Sequence, residues 1–436
     1  LYTLKRLEQT APQHLVFNPH DRPEVMYRVS SFLMHFAFAL SLGVVLATCW
    51  VNLSPSSYYD FVEWRVLDIS LPLWLLPAES TFTPQSIVTQ GLMALFMFLM
   101  GKEMWEALII EGGELSDKRS FVPLAGVIGG TVLCAAVWFY FARQGDLPEG
   151  MSVSTGWPTP IGSDVVIAYV FGLLIFGKGH PALNLLLLIC IGSDFLGLII
   201  LGISHPSQDL LLLGWLGLPA LACLGVWRLF GSHTYGDIKE RTRRRGLALW
   251  PYVLACLISY VGVSKAGLPP SLGLLPIIPA IPHANRAFGV FAEAEWLLHD
   301  PLNRFAHFLV KPLIVILFLF GLTMGGIDMQ AHGPTTNLVL ICAWIAKPLG
   351  FMLGVALILA LSKGKLPTRI SLTDMTLIAF LTGISFTVPV LSLDVALPGG
   401  SETEAARLGL AASAMMGPLV LIVSRLKRGL RRETMR

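Results

Sequence analysis

The sequence predicts an all-α membrane protein that crosses the bilayer twelve times. Of its 436 residues, 54% are hydrophobic and only 14% are charged. Apolar runs of about 20 residues, the length of a membrane-spanning helix, recur along nearly the whole chain. A soluble core of this length would not hide so much apolar surface. The predicted spans are roughly 31–52, 84–110, 120–141, 156–176, 180–203, 209–230, 247–264, 269–288, 302–324, 335–361, 372–397 and 404–425.

The positions of the 31 Lys and Arg residues test this count, because cytoplasmic loops carry an excess of basic residues. With both termini in the cytoplasm, only Arg65, Arg143, Lys265 and Arg407 fall on the external side. We therefore divide the chain into a cytoplasmic N-terminal extension (1–30), a twelve-helix domain (31–425) and a basic cytoplasmic tail (426–436).

The external segment 54–82 joins the first two spans and is rich in Tyr, Trp, Pro and Ser. Apolar and polar residues partly alternate over positions 61–71, a pattern typical of a β-strand. We therefore predict a short external β-hairpin here.

The sequence contains no motif that indicates an enzyme or a cofactor-binding protein. The six cysteines all lie in apolar spans without paired spacing, so neither a disulfide framework nor a zinc site is indicated. Motifs of zinc and serine hydrolases are absent, and the stretch from Gly172 to Gly179 lacks the Ser or Thr that a phosphate loop needs. We predict a protein that is not an enzyme, needs no cofactor and binds no nucleic acid.

Helix breakers interrupt the fourth and eleventh spans at mid-depth. The breaks are 157–164, which includes Pro160 and Gly162, and 383–389, which includes Gly383, Ser385 and Thr387. Each broken span is the middle of a three-helix group, and the two groups have opposite topology. Paired broken helices in inverted repeats indicate a transporter's binding site. Simple kinks are the alternative, since Pro and Gly are common in membrane helices.

Three charged residues lie deep within the spans, where each costs about 2.5–3.5 kcal/mol on insertion scales. Asp194 follows Ser193 and precedes Gly197, which leaves room for a small ion. Its carboxylate could bind sodium or a proton, with the Ser193 hydroxyl as a second sodium ligand. Lys347 could instead neutralise Asp194 structurally. Asp164 could either take part in transport or compensate the positive ends of half-helices.

The order of these segments resembles the NhaA-type bacterial sodium/proton antiporter family. The similar segments are 101–104 (Gly-Lys-Glu-Met), 156–164, 193–197, 347–350 and 383–387. The resemblance implies crossed broken helices four and eleven, a homodimer joined partly through the external hairpin, alternating access, and a bacterial inner membrane. It also implies that Asp194 is the cation- and proton-binding carboxylate, with Asp164, Ser163 and Lys347 beside it.

The chain departs from the family pattern in two places. Electrogenic members carry two adjacent aspartates in the fifth helix, whereas Ser193 replaces the first here, and a single acid favours electroneutral exchange. Glu103, Glu295 and His299 match a cytoplasmic pH-sensing funnel, but Trp296 and Ala292 stand where a histidine and a basic residue are expected. Charges that snorkel at helix ends are the alternative interpretation of this funnel.

We predict that the protein exchanges sodium or lithium for protons. Two alternatives stay open. One is sodium-coupled uptake of a small anion such as bicarbonate, bound between Lys347 and half-helix N-termini. The other is a non-transporting sensor that has kept the antiporter fold.

Overall fold

The computed structural model describes residues 29–66, 82–109, 121–143, 153–204, 210–231, 248–283, 290–298, 300–362, 366, 369–397 and 399–433. Several predicted features lie outside these residues: positions 1–28 of the N-terminal extension, 67–81 of the hairpin, His299, and 434–436 of the tail. Among the described residues there is no β-strand, only an isolated bridge between Val29 and Ala292.

Fifteen α-helices of eight or more residues occur in the described part of the chain. They are α1 (Phe32–Leu53), α2 (Pro55–Val62), α3 (Met93–Ile109), α4 (Phe121–Arg143), α5 (Val165–Phe176), α6 (Pro181–Ser204), α7 (Gly217–Val226), α8 (Trp250–Lys265), α9 (Pro301–Met324), α10 (Pro334–Ile341), α11 (Lys347–Ser362), α12 (Leu372–Leu381), α13 (Thr387–Ala396), α14 (Ser401–Ser413) and α15 (Met416–Glu433). Shorter helical segments are Pro84–Ser86, Ile87–Leu92, Val153–Gly156, Leu210–Leu216, Trp227–Gly231, Pro270–Leu272, Leu275–Ala280, Glu293–Leu297 and Cys342–Ala346.

Seven helical stretches among the described residues are long and apolar enough to cross a bilayer. They are Phe32–Leu53, Val122–Arg143, Pro181–Ser204, Leu212–Phe230, Pro301–Met324, Pro334–Leu361 and Ser401–Lys427. The prediction of an all-α, multi-pass membrane protein is therefore confirmed, whereas twelve crossings stay a prediction. The last helix continues to Glu433, so the predicted tail is helical over its first eight residues, 426–433.

The predicted eighth span is not an α-helix in its described part. Two short 3-10 helices, Pro270–Leu272 and Leu275–Ala280, occupy this region. Five prolines lie between residues 269 and 282. Each proline lacks a backbone N–H and clashes with the preceding helical turn. A continuous α-helix is therefore excluded here, although the composition is apolar.

The external segment begins with a helix, α2, which the strand-like pattern did not predict. Tyr58 on this helix is buried, and its hydroxyl donates to the carbonyl oxygens of Leu322 and Thr323 at the end of α9. Burial raises the pKa of Tyr58 to about 12. Beyond the helix, the Val66 N–H donates to the Phe82 carbonyl over 2.9 Å. These contacts fix the two ends of the segment whose centre, 67–81, lies outside the described residues.

Closely packed helix pairs form the frame of the structure, and glycines allow the approach. On α4 and α11, a Cβ at Gly129 would lie 2.4 Å from the Gly350 carbonyl oxygen, and one at Gly354 would lie 2.1 Å from that of Ala125. On α1, a Cβ at Gly43 would lie 2.3 Å from the Phe318 oxygen of α9. Small residues at such interfaces let backbones come close enough for extensive van der Waals contact.

We expect Gly354→Ala to destabilise the protein by about 1–3 kcal/mol, because the new methyl group would overlap the backbone of α4. Gly225→Ala on α7 is the matched control, since a Cβ there meets nothing within 4 Å. The melting temperature in detergent should fall for the first variant and stay or rise for the second. An unchanged melting temperature for Gly354→Ala would contradict this account of the α4–α11 interface.

The two predicted breaks are irregular in the structure. Residues 157–164 separate a short 3-10 turn, Val153–Gly156, from α5, and residues 382–386 separate α12 from α13. The second break ends three residues earlier than predicted, because Pro389 lies in the first turn of α13, where its missing N–H is tolerated. The first half of the fourth span is thus much shorter than the second.

Candidate functional site

The two breaks contact each other in the interior. The Asp164 N–H donates to the Ile384 carbonyl over 2.8 Å, and the Ser163 hydroxyl donates to the Thr382 carbonyl over 3.0 Å. In the opposite direction, the Ser385 hydroxyl donates to the Gly162 carbonyl over 2.8 Å. Irregular backbone at membrane depth must be satisfied by protein or water. Here each break supplies hydrogen-bond partners to the other, so the two form one junction.

Asp164 lies where two helix N-termini meet. It is the N-cap of α5, and its Oδ1 accepts from the Ile167 N–H over 2.6 Å. Its Oδ2 accepts from the Thr387 N–H over 2.9 Å and from the Thr387 hydroxyl, at the first turn of α13. A carboxylate is favoured at this position because helix N-termini carry partial positive charge. The geometry fits the compensating role that was one of two possibilities for Asp164.

Lys347 takes backbone partners at the junction instead of pairing with Asp194. Its buried ammonium donates to the carbonyl oxygens of Gly162 over 2.5 Å and Pro160 over 3.4 Å, and to the Ser385 hydroxyl over 3.2 Å. Among the described residues, no carboxylate oxygen lies within the 4.0 Å salt-bridge distance of this ammonium. The alternative in which Lys347 directly neutralises Asp194 is therefore not formed among the described residues. An unwound backbone exposes carbonyl oxygens, and two of these together with the Ser385 hydroxyl engage the three ammonium donors.

The same contacts argue against an anion pocket. An anion bound beside Lys347 would need free donors on its ammonium or free N–H groups at the half-helix ends. The ammonium already has three partners, and Asp164 accepts from the first turns of both α5 and α13. The predicted arrangement of Lys347 beside free N-termini is not formed.

Asp194 lies in the middle of α6 and is only 2% exposed. Its Oδ1 accepts from the Ser163 N–H over 2.8 Å, and its Oδ2 accepts no hydrogen bond from the described residues. The neighbouring Ser193 hydroxyl donates to the Ile161 carbonyl over 2.7 Å. An ionised carboxylate with one oxygen free of protein donors can take up a proton or a hard cation such as sodium.

Glycines at positions 162 and 197 allow the Asp194 carboxylate and α6 to pack closely against the junction of the two breaks. A Cβ at Gly162 would lie 2.9 Å from Asp194 Oδ1, which explains the need for glycine there. A Cβ at Gly197 would lie 3.4 Å from the Gly162 nitrogen. The backbone of the break thus lies at van der Waals distance from this position, and room for an ion beside Asp194 stays a prediction.

Ser413, at the end of α14, is a junction residue that the sequence reasoning missed. Its hydroxyl accepts from the Ser385 N–H over 2.9 Å and lies 3.1 Å from the Ser385 carbonyl oxygen. It is fully buried and lies in an otherwise apolar run, Ala411 to Ala414. The signal in the sequence that could have identified Ser413 was its single hydroxyl in this otherwise apolar run.

A buried ion cluster, the Lys102 cluster, lies near the end of α3. The Lys102 ammonium contacts the carboxylates of Glu103 at 3.0 Å, Glu106 at 2.9 Å and Glu295 at 2.5 Å. The structure thus brings together Glu103 and Glu295, both predicted funnel residues, whereas His299 lies outside the described residues. The sequence reasoning missed Lys102 as the centre and Glu106 as a member. The spacing of four between Lys102 and Glu106 was the signal for their contact.

Aromatic residues cover this cluster where basic ones were expected. Trp296 stacks on His307 with ring centroids 4.5 Å apart and planes 4° from parallel. Phe291 adopts a left-handed conformation with φ of 52° and donates its N–H to Glu103 over 2.6 Å. The next residue, Ala292, forms the bridge to Val29 before α1. The cluster therefore connects α3 to the entry of the first helix.

We expect a pH-dependent stability contribution from Glu295. Burial, followed by the neighbouring carboxylates, raises the pKa of the Glu295 carboxyl well above its usual range. The folded state then binds more protons than the unfolded chain, so stability falls as pH rises from the ordinary Glu pKa through the raised value. Glu295→Gln should show a shallower decline of melting temperature with pH, and Glu293→Gln should follow the wild type. Equal slopes in all three would contradict the assignment.

Comparison with known proteins identifies the relatives of this chain. A family model described as Na+/H+ antiporter 1 matches residues 33–423. The Na(+)/H(+) antiporter NhaA of Jannaschia sp. (strain CCS1) is 36% identical over 415 residues, 92% of this chain and 98% of the relative. The Na(+)/H(+) antiporter NhaA 1 of Pelobacter propionicus is 30% identical over 416 residues, again 92% and 98%.

Among solved structures, the sodium proton antiporter MjNhaP1 from Methanocaldococcus jannaschii aligns with 91% of this chain and 99% of its own, at 16% identity and a TM-score of 0.48. The family model covers nearly all of the chain, and the relatives align over almost their full length. The chain therefore belongs to the Na+/H+ antiporter 1 (NhaA) family.

Proposed function

We propose that this protein exchanges sodium or lithium for protons across a membrane, with Asp194 as the carboxylate that both ions share. The observation that carries the proposal is the environment of Asp194. This side chain is buried beside the junction of two broken helices, and Oδ2 has no hydrogen-bond partner among the described residues. The antiporters named among its relatives support the same activity. The protein is a transporter and needs no cofactor.

The exchange follows from competition for one carboxylate. Sodium needs an ionised oxygen ligand, whereas a bound proton removes the charge that attracts the cation. We propose that sodium binds Asp194 together with Ser193, whose hydroxyl oxygen keeps an acceptor lone pair while it donates to Ile161. Alternating access would then carry either ion, but not both, across the membrane at each step.

A single exchanging acid makes the cycle electroneutral in this proposal. Ser193 cannot carry a proton in exchange for sodium. Asp164 accepts three hydrogen bonds from the helix ends, so its release for proton transport would leave buried N–H groups without partners. Lys347 is likewise bound to the backbone of the break. We therefore assign Asp164, Ser163 and Lys347 to the support of the junction, together with Pro160, Gly162, Gly383, Ser385 and Thr387.

The finer architecture is also proposed. We infer twelve crossings arranged as inverted repeats, in which the fourth and eleventh helices cross at their breaks. The positive-inside bias supports both termini in the cytoplasm of a bacterial inner membrane, with extension 1–30, transport domain 31–425 and tail 426–436. Segment 54–82 would form a β-hairpin beyond α2 and join two copies as a homodimer. Glu103, Glu295 and His299 would line a regulatory funnel.

Reconstitution into liposomes tests the function. An outward sodium gradient across proteoliposomes should drive protons inward, measured with an entrapped pH-sensitive dye, and an ionophore that clamps the membrane potential should leave the rate unchanged. Sodium-dependent uptake of labelled bicarbonate without proton movement would support the anion transporter instead. Sodium binding without any flux would support the non-transporting sensor.

A further inference from the structure

A lateral groove between α12 and α15 lies outside the site described above. It encloses about 830 Å³, within the range of about 300–1,000 Å³ for ligand pockets. Its walls are α12 and α15. Ser385, shortly after α12, contacts Ser413, shortly before α15. Phe380 and Met416 therefore lie at the same end of the groove, and Leu372 and Ser424, further along the two helices, line the other. At 1.5 Å per residue, the α12 wall is about 12 Å long.

The groove is polar at one end and apolar along the rest. Ser371, Asp374, Ser424 and Lys427 line the polar end, and the walls beyond are formed by apolar side chains such as Leu377 and Val420. Leu372 and Val423 at its rim are 55% and 60% exposed. In a membrane protein, such exposed apolar side chains face lipid. The groove is therefore continuous with the lipid-facing surface.

Charge at the polar end favours an anion. Lys427 has no carboxylate within the salt-bridge distance among the described residues. The Asp374 carboxylate accepts from the Ser371 N–H and hydroxyl as part of the N-terminal cap of α12. In the sequence, basic residues flank both lining segments: Lys363, Lys365 and Arg369 precede Ser371, and Arg425, Arg428, Arg431 and Arg432 lie within five residues of Lys427. Basic groups near a membrane surface attract anionic phospholipid headgroups.

We propose that this groove binds one anionic phospholipid, with its phosphate at Lys427 and an acyl chain along Leu377, Val420 and Phe380. The polar-to-apolar order of the lining matches a phospholipid from headgroup to chain. Both walls also belong to the transport machinery. α12 precedes the second break, and α15 packs on α5, where a Cβ at Gly417 would lie 2.2 Å from the Phe171 ring. The bound lipid would therefore stabilise the packing of both half-helices.

Native mass spectrometry of the purified full-length chain tests this proposal without reference to transport. The probes are phosphatidylglycerol, phosphatidylcholine and inorganic phosphate, each titrated in detergent. Wild type should retain one phosphatidylglycerol in preference to phosphatidylcholine, and inorganic phosphate should not displace it. Val423→Trp fills the groove from its exposed rim and should abolish retention. Lys427→Gln should weaken phosphatidylglycerol binding about fivefold, the loss of one surface cation.

Two matched controls separate the groove from general surface effects. Leu353→Trp adds the same ring at a 63% exposed position of α11, and Lys311→Gln removes an exposed lysine of α9. Both should retain lipid as wild type does, and after removal of lipid all four variants should melt within a few degrees of lipid-free wild type. Retention by Val423→Trp equal to that by Leu353→Trp would overturn the proposal. So would equal binding of both lipids that is unaffected by Lys427→Gln.

Discussion

Asp194→Asn should reduce sodium-driven proton movement to the rate of protein-free liposomes. The amide keeps an oxygen that can accept from the Ser163 N–H, which now donates to Asp194 Oδ1 over 2.8 Å. The junction should therefore stay folded. The amide carries no negative charge for sodium and takes up no proton near neutral pH, so both halves of the exchange are lost. Dye-monitored flux in proteoliposomes measures this result.

The sodium-dependent rise in melting temperature should disappear in the same variant, because a ligand stabilises only the state that binds it. Asp60→Asn is the control, since Asp60 is an exposed carboxylate of α2. It should keep both the flux and the sodium-dependent shift. Appreciable exchange by Asp194→Asn would show that another group carries the proton.

Lys347→Met should produce the largest loss of stability among junction variants. The methionine side chain is of similar length but donates no hydrogen bond. The carbonyl oxygens of Gly162 and Pro160 would then lose the buried ammonium. The Gly162 carbonyl would keep the Ser385 hydroxyl as a donor, whereas the Pro160 carbonyl would lose its donor among the described residues. A buried polar group left without its partner costs about 1–3 kcal/mol, so we predict a loss of that size. Thermal unfolding in detergent, followed by intrinsic tryptophan fluorescence, measures the change.

Lys311→Met is the comparison for Lys347→Met, because Lys311 is an exposed lysine on another long apolar helix, α9. It should melt close to wild type. If Lys347→Met melts as Lys311→Met does, the ammonium does not hold the break together. A transport defect with unchanged stability would then assign Lys347 to ion movement rather than to support.

Hydropathy and basic-residue positions were sufficient for the fold class, because lipid demands long apolar helices whatever their partners. The eighth span was predicted from its apolar composition alone. Its prolines prevent a continuous α-helix there, so the prediction of a helix was wrong. The breaks were predictable for a similar reason. Pro160, Gly162 and Gly383 are helix breakers in spans that otherwise have no reason to be interrupted. The helical start of the external segment, α2, was not predictable from partial alternation over a few residues.

The partners of the buried charges were harder to predict than their positions. Asp194, Asp164 and Lys347 were identified because each is costly in a membrane. Lys347 nevertheless donates to carbonyl oxygens of the break. These oxygens are available only where the helix is unwound, and no pattern of side chains in the sequence predicts that. Ser413 was missed for the same reason, since its hydroxyl accepts a hydrogen bond from the backbone N–H of Ser385 on another segment. Tertiary packing decides such contacts.

The central claim is that sodium and one proton compete for the carboxylate of Asp194. Calorimetric titration of the purified protein with sodium, in buffers of different ionisation enthalpy, counts the protons released per sodium bound. The proposal predicts that at most one proton is released per sodium, approaching one at pH values where Asp194 is protonated before sodium binds and falling to zero where it is already ionised, because only one acid exchanges. Asp194→Asn should bind no sodium and release no proton. Release of two protons, or sodium binding without proton release across the titration range, would contradict the account.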